Sequence, residues 1–131
     1  MIVIDHSALV EMLTAVGPVG SAVADRVAED DILCAPYLLD TEVMSALLGM
    51  ARGGKITPDQ ADAAMLAYGR LPIDRYDALP LWPRVRVLRA NLSAYDATYV
   101  ALAEALGGTL VTSDARIARS GAARCPIEVF D

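Results

Sequence analysis

Short strand-like runs alternate along the chain with longer stretches whose apolar residues recur at helical spacing. Such runs cover residues 2–4, 32–35, 109–112 and 127–130, and a further short strand is expected at Ile73. Continuous apolar runs are typical of strands that are buried on both faces. Strands that alternate with helices predict a mainly parallel sheet flanked by helices, which is an α/β fold. No linker or repeat divides the chain, so we expect residues 1–131 to form a single domain.

Helix signals fill the segments between these runs. Helices are predicted over residues 7–16, 19–29, 39–52, 57–71, 94–106 and 115–120. The first of these patterns includes Val16, and a further helix is expected to follow Pro83. The clearest start is at residues 57–60, where Thr57 stands at the N-cap, Pro58 takes the first helical position and Gln60 closes a capping box.

The composition describes a chain that is more apolar than an average soluble domain. Hydrophobic residues make up 55% of its 131 residues, charged residues make up 21%, and the mean hydropathy is +0.39. Charges nevertheless interrupt the apolar stretches well short of the ~20 residues that cross a membrane. The first residues show neither a basic segment nor a long apolar stretch of the kind that directs secretion. We therefore expect a cytoplasmic protein that is not associated with a membrane.

The formal net charge of -6 argues against a basic surface for nucleic acid. The charge is unevenly spread, since residues 84–131 carry six arginines and five acidic residues. The candidate contacts to phosphate in this part are Arg84, Arg86, Arg89, Arg116, Arg119 and Arg124. Arginine suits bidentate phosphate contact, but a bias in genomic base composition explains a preference for arginine over lysine equally well.

Four acidic residues stand where parallel α/β proteins bind ligands. Asp5 directly follows the first strand and Asp114 follows the strand over residues 109–112, so both belong at the carboxyl edge of the sheet. Glu42 and Asp96 lie in predicted helices beside apolar faces. Taken singly, the three aspartates have an ordinary explanation as helix caps or as part of a capping box. Glu42 has no cation at helical spacing, and four such placements in one small domain favour a shared cause.

A shared site of four carboxylates requires a counter-charge. Two carboxylates about 4 Å apart repel each other by roughly 4 kcal/mol at an effective dielectric constant near 20. An oxygen-only ligand set without a nearby imidazole or thiolate pair suits Mg²⁺ or Mn²⁺, and such sites can hold two ions about 3.5 to 4 Å apart. This chemistry predicts hydrolysis of phosphodiester bonds by metal-activated water. Which carboxylate accepts the proton is left open.

Four segments of the sequence resemble the signatures of PIN-domain proteins of the VapC toxin type. They are Ile4-Asp5-His6-Ser7-Ala8-Leu9, Glu42 with Val43 and Leu47, Tyr95-Asp96-Ala97-Thr98-Tyr99-Val100-Ala101-Leu102-Ala103, and Leu110-Val111-Thr112-Ser113-Asp114. The resemblance implies a PIN-like, Rossmann-like sheet and Mg²⁺- or Mn²⁺-dependent cleavage of RNA. It implies Asp5, Glu42, Asp96 and Asp114 as catalytic metal ligands, with hydroxyl support from Ser7, Thr112 and Ser113. It also implies a homodimer that a small VapB-like antitoxin inhibits by covering the acidic site.

Two other classes of protein compete with this interpretation. A phosphoaspartyl protein also places an aspartate after its first strand, but it needs a lysine at the phosphoryl group, and the sole lysine, Lys55, falls in a predicted helix-ending turn. The second alternative is a PIN-type module that binds RNA or a protein without cutting. DNA also stays possible as the substrate, because attack by a metal-bound water does not need the 2′-hydroxyl group.

Three further signals are set aside. Residues 49–56 nearly match a phosphate-binding P-loop, but Ile56 stands where a serine or threonine is required, and the segment closes a helix instead of opening one. His6 is expected to point away from Asp5, because adjacent residues of a strand face opposite sides. Trp82 and Tyr76 are interpreted as packing residues and not as stacking partners for bases.

Overall fold

A parallel five-stranded sheet forms the centre of the molecule. The computed structural model describes residues 1–14 and 17–131. Its strands are β1 (Ile2–Ile4), β2 (Leu33–Pro36), β3 (Ile73–Tyr76), β4 (Thr109–Thr112) and β5 (Ile127–Val129). They are arranged in the order β3-β2-β1-β4-β5, and every pair of neighbours is parallel. The predicted α/β fold with a mainly parallel sheet is therefore confirmed.

Seven helices connect the strands within the described ranges. They are α1 (His6–Thr14), α2 (Pro18–Ala28), α3 (Leu38–Arg52), α4 (Pro58–Gly69), α5 (Trp82–Leu88), α6 (Ala94–Leu106) and α7 (Ala115–Arg119). The predicted extension of the first helix to Val16 lies outside the described residues. The stop at Gly53 is confirmed, so the segment resembling a P-loop closes α3.

The segment before α5 differs from the prediction. A 3-10 turn at Leu79–Leu81 leads directly into α5, which begins at Trp82 and not after Pro83. Proline is tolerated in a first helical turn because its missing N–H has no partner there. Trp82 is 58% exposed, so it is not the packing residue that we predicted.

The core is built around β1 and α6. All three residues of β1 are fully buried. Helix α6 contacts β1, β2 and β4, and all seven of its residues from 97 to 103 are buried. Helix α1 packs against α2, α3 and α4. These contacts hold the N-terminal ends of α1, α3 and α6 at the carboxyl edge of the central strands.

No single helix in the described part of the chain is long and apolar enough to cross a membrane. Helices α1 and α2 meet that test only when they are taken together as a bent pair.

The ends of two helices show the cap geometry that sets their bounds. At the start of α4, Gln60 N donates to Thr57 Oγ1 at 3.1 Å and Thr57 N donates to Gln60 Oε1 at 2.8 Å, so the predicted capping box is confirmed. Helix α6 ends at Gly107, whose φ of 68° lies in the left-handed region. An L side chain is strained in that region, and glycine is not.

We predict that Gly107→Ala lowers the free energy of unfolding by about 1 kcal/mol, because alanine must adopt the strained left-handed conformation. The measurement is urea denaturation followed by circular dichroism. Gly69→Ala is the matched control, because Gly69 is exposed at the end of α4 with no atom within 4 Å of an added Cβ. Equal loss of stability in the two variants would contradict the assignment of strain to Gly107.

Candidate active site at the carboxyl edge of the sheet

Asp5 lies at the centre of the carboxyl edge and is only 3% exposed. Its Oδ1 atom accepts hydrogen bonds from Ser7 Oγ at 2.7 Å and from the backbone N–H of Ala8 at 3.1 Å, and its Oδ2 atom accepts one from Thr112 Oγ1. Burial raises the pKa of the Asp5 carboxyl above its ordinary value, although the hydrogen bonds from Thr112 and Ser7 lower it. The side chain is therefore rigidly held, and its charged form is costly.

Asp114 follows β4 and serves as the N-cap of α7. Its backbone N–H donates to Thr112 Oγ1 at 3.0 Å, which links it to the hydroxyl that holds Asp5. Its carboxylate is paired with Arg116, whose Nε and Nη2 atoms lie 3.0 Å from Oδ1 and 2.7 Å from Oδ2. Hydrogen bonds from Arg116 lower the pKa of Asp114. Arg116 is 78% exposed, so this pair can be exchanged for other partners at modest cost.

Glu42 reaches the site from the second turn of α3. Its Oε1 atom accepts a hydrogen bond of 2.7 Å from the hydroxyl of Tyr99 on α6, and its Oε2 atom lies 3.3 Å from His6 Nδ1 on α1. Burial tends to raise the pKa of Glu42, but the interactions with His6 and Tyr99 outweigh it, so the pKa is lowered. The carboxylate is thus charged; Tyr99 holds it at Oε1, and His6 approaches it at Oε2.

Asp96 lies in the first turn of α6. Like Asp5, it forms no ion pair within the described ranges, and its backbone N–H donates to the N-cap hydroxyl of Ser93. Its pKa is raised by burial and then by the charges of Asp114 and Glu42, which outweigh the opposing effects of Ser93 and Arg116. Burial and the neighbouring carboxylates therefore disfavour the charged form of Asp96.

The four predicted carboxylates share one electrostatic neighbourhood. Asp96 is repelled by Asp114 and Glu42, and His6 is influenced by Glu42, Asp5 and Asp96. The donors are all oxygen atoms with excess negative charge, so the chemistry of the set fits Mg²⁺ or Mn²⁺. In the described part of the chain, no three acidic, histidine or cysteine side chains converge closely enough to hold one ion.

The predicted hydroxyl residues lie inside this network. Ser7 Oγ accepts the backbone N–H of Ser113 at 3.0 Å and lies 3.3 Å from Thr112 Oγ1. Ser113 Oγ is buried and has no hydrogen-bond partner among the residues that the structure describes. Ser7 and Thr112 thus connect the ends of β1 and β4, whereas Ser113 contributes through its backbone.

Two residues of the site were not predicted from the sequence. The expectation that His6 points away from the site is wrong, because His6 begins α1 instead of continuing β1, and its ring lies against Glu42. The pKa of His6 is raised, chiefly by the interaction with Glu42. Tyr99 was part of the quoted motif, but its contact with Glu42 bridges 57 residues, so only its spacing of three from Asp96 on α6 hinted at the site.

The predicted phosphate-binding arginines fall into two groups. Arg84 pairs with Glu104 through Nε at 2.6 Å and Nη2 at 3.2 Å, and Arg116 pairs with Asp114, so both have partners within the chain. The others are exposed, and they are Arg86, Arg89, Arg119 and Arg124. Arg84 connects α5 with α6, whereas Arg116 lies at the acidic site itself.

The geometry defines a class of protein: a parallel α/β domain whose carboxyl edge gathers four carboxylates and supporting hydroxyls. The family model described as PIN domain matches residues 2–122, and the chain therefore belongs to the PIN-domain family. It is 40% identical over 129 residues to a VapC ribonuclease of Mycobacterium bovis and to Ribonuclease VapC9 of Mycobacterium tuberculosis, with 98% of each chain covered. The resemblance that the sequence motifs suggested is confirmed.

Solved structures show the same fold at low sequence identity. Mycobacterium tuberculosis VapC20, a sarcin-ricin loop cleaving toxin, gives a TM-score of 0.71 at 15% identity, over 92% of this chain and 95% of that chain. VapBC2 from Rickettsia felis, bound to a DNA fragment from its promoter, gives a TM-score of 0.71 at 14% identity over 100% of both chains. PAE2754 from Pyrobaculum aerophilum gives 0.67 at 23% identity, over 98% of this chain and 88% of that chain.

We predict that Asp96→Asn makes the metal-free protein more stable at pH 7. The raised pKa means that the folded state favours the protonated carboxyl, so the wild type loses stability as pH rises from the ordinary value of 3.8 through the raised pKa. Asparagine carries no charge and avoids this loss, so its advantage disappears as pH falls to that ordinary value. The measurement is thermal unfolding in EDTA between pH 3.5 and 7.

The control variant is Asp62→Asn, which removes one acidic charge from an exposed position on α4. We expect this variant to follow the wild type across the same pH range. An Asp96→Asn variant that is no more stable than the wild type at pH 7 would show that the charge of Asp96 is compensated.

Proposed function

We propose that residues 1–131 form one PIN domain that acts as a metal-dependent endoribonuclease, the toxin of a VapBC-type toxin–antitoxin pair. The observation that carries this proposal is the cluster of four electrostatically coupled carboxylates at the carboxyl edge of β1 and β4. Similarity to VapC ribonucleases over nearly the whole chain supports RNA as the substrate. The proposal places the cluster where parallel sheets ordinarily bind their ligands.

Asp5, Glu42, Asp96 and Asp114 are the residues that would hold Mg²⁺ or Mn²⁺. A bound divalent ion supplies an acidified water and offsets charge on the phosphate. Asp5 is positioned for this role by Ser7 and Thr112, which fix both of its oxygen atoms. Asp96 would also gain from a bound cation, because burial and the neighbouring carboxylates disfavour its charge.

Arginines of residues 84–131 are proposed to guide the RNA backbone. Arg116 is exposed and pairs with Asp114, so it lies where a phosphate that approaches the acidic cluster would meet it. Arg86, Arg89 and Arg119 are exposed and carry charges that complement phosphate. Arg84 has a smaller part in this role, because Glu104 already accepts two of its hydrogen bonds.

The proposed partners follow from the same family membership. A small VapB-like antitoxin would inhibit the enzyme by covering the acidic edge, and a homodimer is the proposed assembly. The Rickettsia felis neighbour is itself a VapBC complex, which supports an antitoxin of that type. We propose the cytoplasm as the site of action, where the RNA substrate is found.

A non-catalytic module that binds RNA or protein is the second candidate. The observation that favours it is that three of the carboxylates already accept hydrogen bonds within the chain: Asp5 from Ser7, Glu42 from Tyr99 and Asp114 from Arg116. A module of this type would bind without cleaving, so an assay of cleavage separates the two candidates.

We predict that the antitoxin-free protein cuts total cellular RNA into discrete fragments in Mg²⁺ or Mn²⁺. EDTA should abolish the fragments, and Asp96→Asn should reduce the rate by at least about 100-fold, because even the supporting partners of metal ligands cost about 10- to 100-fold when they are removed. The measurement is a time course on denaturing gels, followed by mapping of the fragment ends.

The matched control is again Asp62→Asn, purified in the same way and expected to cut at the wild-type rate. Identical fragments from wild type and Asp96→Asn would indicate a contaminating nuclease and would reject the assigned site. RNA binding without cleavage in either metal would favour the binding module.

A further inference from the structure

Tyr99 is a buried side chain whose only polar atom contacts the acidic site. It is 1% exposed, and its hydroxyl donates a hydrogen bond of 2.7 Å to Glu42 Oε1. The bond joins α6 to α3 across 57 residues of sequence. Because Tyr99 follows Asp96 by three residues on α6, the two side chains lie on neighbouring positions of one helix face. Helix α6 thus supplies Asp96 to the site and, through Tyr99, also contacts Glu42.

The hydrogen bond gives the two carboxylate oxygen atoms of Glu42 different surroundings. Oε1 is occupied by the Tyr99 hydroxyl, whereas Oε2 lies 3.3 Å from His6 Nδ1 without a hydrogen bond of good geometry. Oε2 therefore keeps lone pairs that can bind a cation. A glutamate side chain also has three rotatable bonds, so a donor fixed in the core restricts where its carboxylate lies.

We propose that Tyr99 is a positioning residue that holds the Glu42 carboxylate by Oε1, so that Oε2 faces the acidic cluster as a metal-binding oxygen. This inference rests on the proposed metal-dependent function. Tyr99 itself does not touch the substrate or the metal. A phenol has an ordinary pKa of about 10, so the Tyr99 hydroxyl is a hydrogen-bond donor at neutral pH.

The same helix α3 offers an internal comparison. Tyr68 is also buried, and its hydroxyl donates to the carboxylate of Asp40, two residues before Glu42 on the chain. Asp40 is held further by Arg75, just as Glu42 is approached by His6. Asp40 is not among the carboxylates that influence Asp96 or His6. Tyr68→Phe therefore removes the same kind of hydrogen bond, from a tyrosine hydroxyl to a carboxylate, at a place outside the acidic site.

The experiment compares Tyr99→Phe with Tyr68→Phe in the whole protein. Each change removes one hydroxyl group and keeps the ring, so thermal unfolding in EDTA should show similar losses of stability. The deciding measurement is Mn²⁺ affinity, taken from the electron paramagnetic resonance signal of free Mn²⁺. We expect Tyr99→Phe to weaken the affinity by about 10- to 100-fold, as is typical when the partner of a metal ligand is lost. Tyr68→Phe should leave the affinity at the wild-type value.

A double-mutant cycle with Glu42→Gln tests whether the effect passes through Glu42. We expect Glu42→Gln to weaken Mn²⁺ binding and Tyr99→Phe to add nothing in that background, because contacting residues are not additive. An additive effect, or an equal loss of affinity in Tyr68→Phe, would overturn the positioning role.

Failure of this inference is distinguishable from failure of the proposed function. If Asp5→Asn, Asp96→Asn and Glu42→Gln weaken Mn²⁺ binding and Tyr99→Phe does not, the metal site stands and the role of Tyr99 is rejected. If the wild type binds no Mn²⁺, or binds it as well as Asp5→Asn and Asp96→Asn do, the proposed metal site is rejected together with the role of Tyr99.

Discussion

The Asp5 carboxylate is almost completely buried, and the groups that donate hydrogen bonds to it are neutral. Ser7, Thr112 and the backbone N–H of Ala8 reduce the cost of burying the charge, but they do not cancel it. The same hydrogen bonds join the end of β1 to the start of α1 and the end of β4. The geometry of the carboxyl edge therefore depends on keeping this one carboxylate satisfied, and the remaining charge leaves the edge attractive to cations.

The other three carboxylates differ in how firmly they are held. Glu42 is fixed by Tyr99, Asp114 is paired with the exposed side chain of Arg116, and Asp96 has no ion pair in the described part of the chain. A site of this kind combines a rigid part with an exchangeable part. In the proposed function, the rigid part would set where a cation lies, and the exchangeable part would let the carboxylates approach it.

Local signals accounted for most of the fold and for the positions of the acidic residues. The capping box at Thr57 and the placement of Asp5 after β1 depend on neighbours within a few residues, so the sequence alone predicts them. The start of a helix at His6 was missed, because the alternation of a strand was extended over Asp5 and His6, whereas β1 ends at Ile4. The bonds from Tyr99 to Glu42 and from Arg84 to Glu104 join distant segments, and tertiary packing decides such contacts.

The net charge of -6 conflicts with an RNA substrate unless the charges are separated in space. The acidic cluster accounts for four of the negative charges, and in the proposed function one divalent ion bound there would offset two of them. In the proposed function, Asp114 would exchange its ion pair with Arg116 for a bound cation, which would leave the Arg116 guanidinium available to phosphate. Asp114 would then couple cation binding to contact with the RNA backbone, so the acidic composition is compatible with the proposed nuclease.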